Sequence, residues 1–260
     1  MTALGTFDPA HLQRSHRVRC EWGPSGAHAL VGDLGPGDLA IVVDVLSFST
    51  TVTVAVELGM QVWPCRWRDE RAERLARDVD AVLAVGRLES RAPGAPPRAT
   101  VSLSPAEMAG VEDVPRAVLP SPNGSTISAE LADSGLEVVA GCLRNAGAVA
   151  LRAWEVLDAG GSIVVVACGE RWPDGTLRPA AEDWWGAGAV LAALPGELLS
   201  PEAALAASTF TAVDDLGPAV LGCASGHELA ARGYLDDVGV AATLDVTAVV
   251  PTLRDGRFVG

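Results

Sequence analysis

The chain has 260 residues, 49% of them hydrophobic and 20% charged, enough apolar sequence for one sizeable core and too much for a disordered chain. A formal charge of −14 argues against a nucleic-acid or anionic-membrane surface. All 19 basic residues are arginine, which excludes lysine-dependent chemistry: Walker-type phosphate loops, Schiff bases and pyridoxal phosphate.

No apolar run reaches the roughly 20 residues of a membrane helix, and residues 1–16 lack the apolar stretch of a secretory signal. The five cysteines, Cys20, Cys65, Cys142, Cys168 and Cys223, are odd in number and form no C-x-x-C pair. That usage fits a reducing cytoplasm better than a disulfide framework or a structural zinc site. Cys65 and Arg71 have the spacing of a cysteine-phosphatase loop. The residues between them, Arg66 to Glu70, lack glycine and lead into a charged helix, so the match is read as chance.

In chain order, 16–22 and 28–31 read as an antiparallel hairpin on one sheet edge. β-rich runs follow at 39–45, 61–64, 81–85, 117–119, 137–140 and 162–167. Helical patterns lie between or after them at 49–58, 69–78, 104–109, 125–133, 145–159 and 182–194. This alternation predicts an α/β fold, a three-layer αβα arrangement around a mostly parallel or mixed sheet. The run at 162–167 is apolar on both faces, as expected where helices cover both sides. Residues Thr50 to Val54 favour strand by propensity. A helix is expected there nonetheless, because a strand would leave no turn after Asp44. Ser104-Pro105-Ala106-Glu107 is a capping box with proline at the first helical position. Pro93, Gly94, Pro96 and Pro97 mark a loop at 91–100, read as a lid or linker inside one domain of 1–260 that has room for two lobes. Helices from about 202 and at 226–232, then a closing strand at 247–250, complete the prediction.

The chemically capable residues gather at predicted strand ends, where open α/β sheets bind ligands. Asp44 closes the first long run and reads equally as a helix cap, a magnesium ligand or a nucleophile. Asn123-Gly124-Ser125-Thr126 resembles a turn that offers N–H groups and hydroxyls to an anion, and also an ordinary helix start. Ser47, Ser49 and Thr50 either line the same pocket or satisfy local backbone. Asn145 follows one strand; Cys168, Gly169 and Glu170 follow another. Glu182 and Asp183 open a helix whose next residues, Trp184 and Trp185, suggest burial. There they would serve as magnesium ligands with Asp44, or simply favour the helix dipole. Glu170 and His227 are the candidate proton-transfer groups, although a histidine beside glycine is more often a surface or capping residue. The third position of a dehalogenase-type D-x-D is Leu46, which argues against that family. Residues alone therefore point to an α/β enzyme with a metal-and-phosphate site.

The ordered series resembles the 2-phosphosulfolactate phosphatase family, magnesium-dependent phosphatases associated with coenzyme M biosynthesis. The resemblance rests on Asp44-Val45-Leu46-Ser47-Phe48-Ser49-Thr50, Pro122 to Thr126, Asn145-Ala146 and Cys168-Gly169. It continues through Glu182 to Gly188, Ser225-Gly226-His227, and Gly233 with Asp237-Val238. It implies magnesium as cofactor, a small phosphorylated 2-hydroxy acid as substrate, and a cytoplasmic protein without nucleic-acid or membrane partners, compatible with a homo-oligomer. Ser47 stands where the family usually has arginine, the side chain best suited to grip an oxyanion with two hydrogen bonds. Arg87, Arg144 and Arg171 are the candidates to replace it. Two other readings accompany the phosphatase. One is a non-catalytic anion-binding relative; the other is a structural domain in which Asp44, Asn123 and Glu182 are only caps.

Overall fold

The computed structural model describes residues 7–86 and 101–260. The predicted loop at 91–100, together with Arg87, lies outside them. The strands are β1 (Val18–Trp22), β2 (Leu39–Val43), β3 (Gln61–Cys65), β4 (Val82–Leu83), β5 (Arg116–Pro120), β6 (Glu137–Gly141), β7 (Ile163–Ala167), β8 (Glu170–Arg171), β9 (Leu177–Arg178), β10 (Thr252–Arg254) and β11 (Arg257–Val259). The helices run α1 (Gly23–Val31), α2 (Phe48–Glu57), α3 (Glu70–Asp78), α4 (Pro105–Met108), α5 (Gly124–Leu131), α6 (Ala146–Asp158), α7 (Ala181–Leu191), α8 (Pro201–Thr211), α9 (Leu216–Gly222), α10 (Ala224–Ala231) and α11 (Leu235–Ala241).

Among the described residues, nine strands form one mixed sheet in the order β1-β7-β2-β6-β10-β11-β3-β5-β4. The first four pair in parallel, as do β3, β5 and β4. The β10–β11 hairpin joins the two blocks through three antiparallel pairings. Three reversals make the second block run opposite to the first.

Strand sequence explains the layering. Ala40 and Val42 of β2 pack with Val164 and Val166 of β7 against Leu30 of α1 and Ile127 of α5. Leu39, Ile41 and Val43 point to the other face, where Val149 and Ala153 of α6 and Val190 and Leu191 of α7 cover them. Side chains alternate with a period of two, so a strand apolar throughout needs a cover on each face. The three-layer α/β arrangement is the result. Among the described residues, no helix is long and apolar enough to cross a membrane.

The segment with strand propensity is helical. Every residue of α2 from Phe48 to Val56 is buried, and tertiary packing overrides the local preference. Its hydroxyls bond back to the chain: Ser49 Oγ donates to Val42 O, Thr50 Oγ1 to Val45 O and Thr53 Oγ1 to Ser49 O.

Two expectations are corrected. The N-terminal segments form no hairpin: β1 pairs in parallel with β7, and 28–31 is the end of α1. Pro24 and the glycine-rich start of α1 turn the chain onto the sheet face instead. The closing strand at 247–250 is not a strand either. The chain ends in the β10–β11 hairpin, turned by Asp255 and Gly256 at positive φ and inserted in mid-sheet. Helices α9 and α11 and the small β8–β9 hairpin were not expected at all.

Candidate active site

Asp44 follows the last residue of β2, and its carboxylate ties two elements together. Oδ1 accepts from Phe48 N at 2.9 Å, capping the first turn of α2. Oδ2 accepts from Gly124 N at 3.0 Å, at the start of α5. The carboxyl ends of β2 and β5 thus meet although their blocks run in opposite directions. Gly124 is required by that approach, since a Cβ there would lie 2.3 Å from Phe48 and 2.9 Å from Asp44 Oδ2.

The neighbouring Asn123 donates from Nδ2 to Glu170 Oε2 at 3.0 Å. Burial, then the charge of Asp44, raises the Glu170 pKa from 4.5 to about 7, against the pull of Asn123 and Arg178. Asp183 is more deeply set. Its Oδ1 accepts from Val45 N at 2.7 Å and its Oδ2 from Gly169 N at 2.8 Å. Burial and the nearby Asp44 and Glu182 push its pKa well above the usual carboxylate range. Glu182 is 1% exposed, with Oε2 accepting from the Cys223 thiol at 3.1 Å. The charges of these closely set, largely buried acids oppose one another, a field that a cation would relieve.

A cavity of about 300 Å³ opens onto this corner, with Asp44, Ser47, Asn123 and Glu170 in its wall. Arg68, Arg171, Arg178 and Arg232 also line it. A larger groove of about 980 Å³, lined by α8, α9 and α11 residues such as Phe210, Leu221 and Leu235, holds none of the predicted site residues.

The other predicted residues have other places. Ser47 Oγ donates to Leu103 O at 3.2 Å. Ser125 Oγ donates to Leu119 O and Thr126 Oγ1 to Ser121 O. With Ser49 and Thr50, these hydroxyls fasten the backbone around the cavity. Asn145 Oδ1 accepts from Cys142 N, and its Nδ2 donates to Ala140 O and Val249 O, locking β6 to the segment before β10. Gly169 has φ +66°, and its N–H serves Asp183. Cys168 is buried, and burial with the charges of Asp44 and Asp183 pushes its thiol pKa far up, so it stays protonated. His227 is exposed on α10 and does not line the cavity. Cys65, of the phosphatase-like spacing, is buried with its thiol donating to Trp67 O, while Arg71 pairs with Asp69 at 2.7 Å.

Of the arginines expected to serve an anion, Arg171 lines the cavity. Arg144 instead reaches Glu57 and Val240 O. Arg68, Arg178 and Arg232 were missed because nothing in the sequence separates them from sixteen other arginines. Their elements, a loop, a two-residue strand and a helix end, carry little periodic signal.

Among the described residues, no three His, Cys, Asp or Glu side chains form a ready metal cage. Magnesium needs no such cage. It keeps several waters and takes one or two carboxylates together with substrate phosphate oxygens. Asp44, at the cavity wall with Asp183 and Glu182 behind it, fits that description by the chemistry of its donors.

An acidic corner facing a basic wall across a small strand-end cavity defines an α/β enzyme site for an anionic small molecule. Comparison with known proteins specifies the class. Residues 29–256 match the model of the 2-phosphosulpholactate phosphatase family, and the chain belongs to that family. It is 32% identical over 223 residues to a 2-phosphosulfolactate phosphatase of Methanothermobacter thermautotrophicus, covering 85% of this chain and 88% of the relative. It is 31% identical over 226 residues to a probable 2-phosphosulfolactate phosphatase of Deinococcus radiodurans, covering 85% and 90%.

Proposed function

We propose that the protein is a magnesium-dependent phosphomonoester hydrolase that releases phosphate from 2-phosphosulfolactate or a closely related phosphorylated 2-hydroxy acid. The observation that carries this reading is the cavity in which Asp44 and Glu170 confront four arginines. Family membership supports the same reaction and substrate class. Five unpaired cysteines fit a reducing, cytoplasmic setting.

In this reading Asp44 would hold magnesium from the cavity wall, and the negative field of Asp183 and Glu182 would strengthen its hold. When bound, the metal would neutralise phosphoryl charge and lower the pKa of a bound water. The chain's own residues do the rest. Asn123 fixes the Glu170 carboxyl by its 3.0 Å hydrogen bond. As a water attacks phosphorus and the ester P–O bond breaks, Glu170, with a pKa near neutrality, donates its proton to the departing ester oxygen, and the proton released by the attacking water restores the acid through solvent. Asp44 keeps the β2 and β5 ends together through Phe48 N and Gly124 N.

The test is phosphate release from a panel of phosphorylated 2-hydroxy acids, 2-phosphosulfolactate included, with and without magnesium. Magnesium-dependent turnover is expected. A folded protein that binds these esters yet releases no phosphate from any of them would instead be an anion-binding relative. A trapped phosphoryl-Asp44 adduct would replace direct water attack with covalent catalysis.

A further inference from the structure

The basic wall exceeds what a phosphoryl group requires, and one of its members pairs across the β8–β9 hairpin with the candidate proton donor. Arg232 is paired with Glu228 at 2.8 Å. Arg171 donates to Gly175 O at 3.2 Å and Pro122 O at 3.4 Å. These are neutral carbonyl partners, so its charge remains. Arg68 has neither a hydrogen bond nor an ion pair among the described residues. Arg178, half-buried on β9, donates from Nη2 to the buried Ser225 Oγ at 3.0 Å and lies 5.9 Å from the Trp172 ring centroid. In a chain of charge −14, three arginines with no carboxylate hydrogen-bonded to them among the described residues share one small cavity.

Arg178 and Glu170 sit opposite each other in the β8–β9 pairing, Glu170 facing Arg178 in register. Under the function proposed above, on which this inference rests, Glu170 serves the ester oxygen. A group held by its cross-strand partner is therefore placed toward the leaving alcohol rather than toward the transferred phosphoryl group. Ser225 and Trp172 restrict the guanidinium, and a single hydrogen bond to protein leaves the remaining N–H donors of its fork available.

We infer that Arg178, assisted by Arg171 and Arg68, forms a subsite for a second anionic group on the alcohol portion of the substrate, a carboxylate or sulfonate. Arg178 is then a specificity-determining residue: it makes the cavity select esters of anionic alcohols over esters of uncharged ones.

The full-length protein with magnesium is assayed against 2-phosphosulfolactate and against p-nitrophenyl phosphate, whose alcohol has no second anion. Arg178→Met is expected to lower kcat/KM for phosphosulfolactate about 50-fold more than for p-nitrophenyl phosphate, mainly through KM, the loss of a charge-assisted bidentate contact. Arg178→Lys, which keeps the charge and loses the fork, should recover part of that difference. Ser225→Ala, which only frees the guanidinium, should shift the ratio about 3-fold in the same direction. Equal losses on both esters overturn the inference, because a residue that merely fastened the hairpin or held the phosphoryl group would act on both. Calorimetry separates this from failure of the hydrolase reading. Even in a protein that hydrolyses nothing, sulfolactate should bind wild type and lose most of its affinity in Arg178→Met, while inorganic phosphate loses much less. If both probes weaken alike, the subsite does not exist.

Discussion

The two walls of the cavity are built differently. The acidic corner stands on regular structure: Asp44 ends a buried strand, Gly124 opens a helix, and Asp183 lies in the first turn of another. The Asp44 and Asp183 carboxylates each accept two backbone N–H groups, so their positions are fixed by the fold itself. The basic wall stands on the Arg68 loop, the two-residue strands β8 and β9, and the end of α10, with side chains half-buried or exposed. Under the proposed function the rigid corner holds the reacting group, and a change there should remove activity. Under the subsite inference the looser wall reads the rest of the substrate, and a change there should redirect activity.

The largest expected effect falls on the corner. Asp44→Asn keeps the shape but has one acceptor oxygen for two N–H partners and no charge for a metal. Phosphate release should fall by about 1,000-fold on every ester, with no change in substrate preference. A preference change of the kind expected for Arg178→Met would erase the distinction between the walls. Steady-state kinetics on two esters, with circular dichroism to confirm folding, decides it.

The corner should also show its electrostatic strain without metal. The Glu170 pKa is raised from 4.5 to about 7. A raised carboxyl pKa stabilises the fold fully below the unfolded value, and that contribution disappears as pH rises through the folded one. Metal-free Glu170→Gln should therefore be more stable than wild type by up to about 3 kcal/mol at pH 8 and close to it at pH 4.5. Urea unfolding at the two pH values measures the difference. Equal stability at both would mean that Glu170 ionises normally and is no proton donor near neutrality.

Gly124→Ala tests the junction of the two strand blocks. Its Cβ would clash with the Phe48 ring and crowd Asp44 Oδ2. The variant should lose about 2–3 kcal/mol of stability, and the surviving folded protein should lose turnover with Asp44 displaced. Thermal unfolding with kinetics on the same preparation measures both.

How much of this could be read from the chain differed by wall. Leu39 to Val43 form the strand, and Asp44 is conspicuous because an acid directly follows an apolar run. The layering follows from the same runs, since Ala40 and Ile41 need covers on opposite faces. What escaped was non-local. Nothing near residues 252–259 shows that they pair with β6 and β3, and nothing near Arg178 shows that Ser225 holds it, 47 residues away. For the hydroxyl residues the sequence left two roles open, and the backbone-satisfying one is what the structure shows. Ser49, Thr50 and Ser125 share the site's sequence neighbourhood, but burial obliges each to satisfy a carbonyl.

Thr50 gives the smallest and most discriminating prediction, because it lies in the Asp44-to-Thr50 motif and yet its hydroxyl bonds Val45 O at 2.8 Å inside a fully buried turn. Thr50→Val preserves shape and removes only that donor. The unpaired carbonyl should cost about 1–2 kcal/mol, while KM for phosphosulfolactate stays within about 2-fold of wild type, since a contact of this size made to substrate would change affinity at least 5-fold. A large KM increase with little loss of stability would move Thr50 from the frame of the corner to its contact surface. The rigid wall would then reach beyond Asp44 and Asn123 into the first turn of α2.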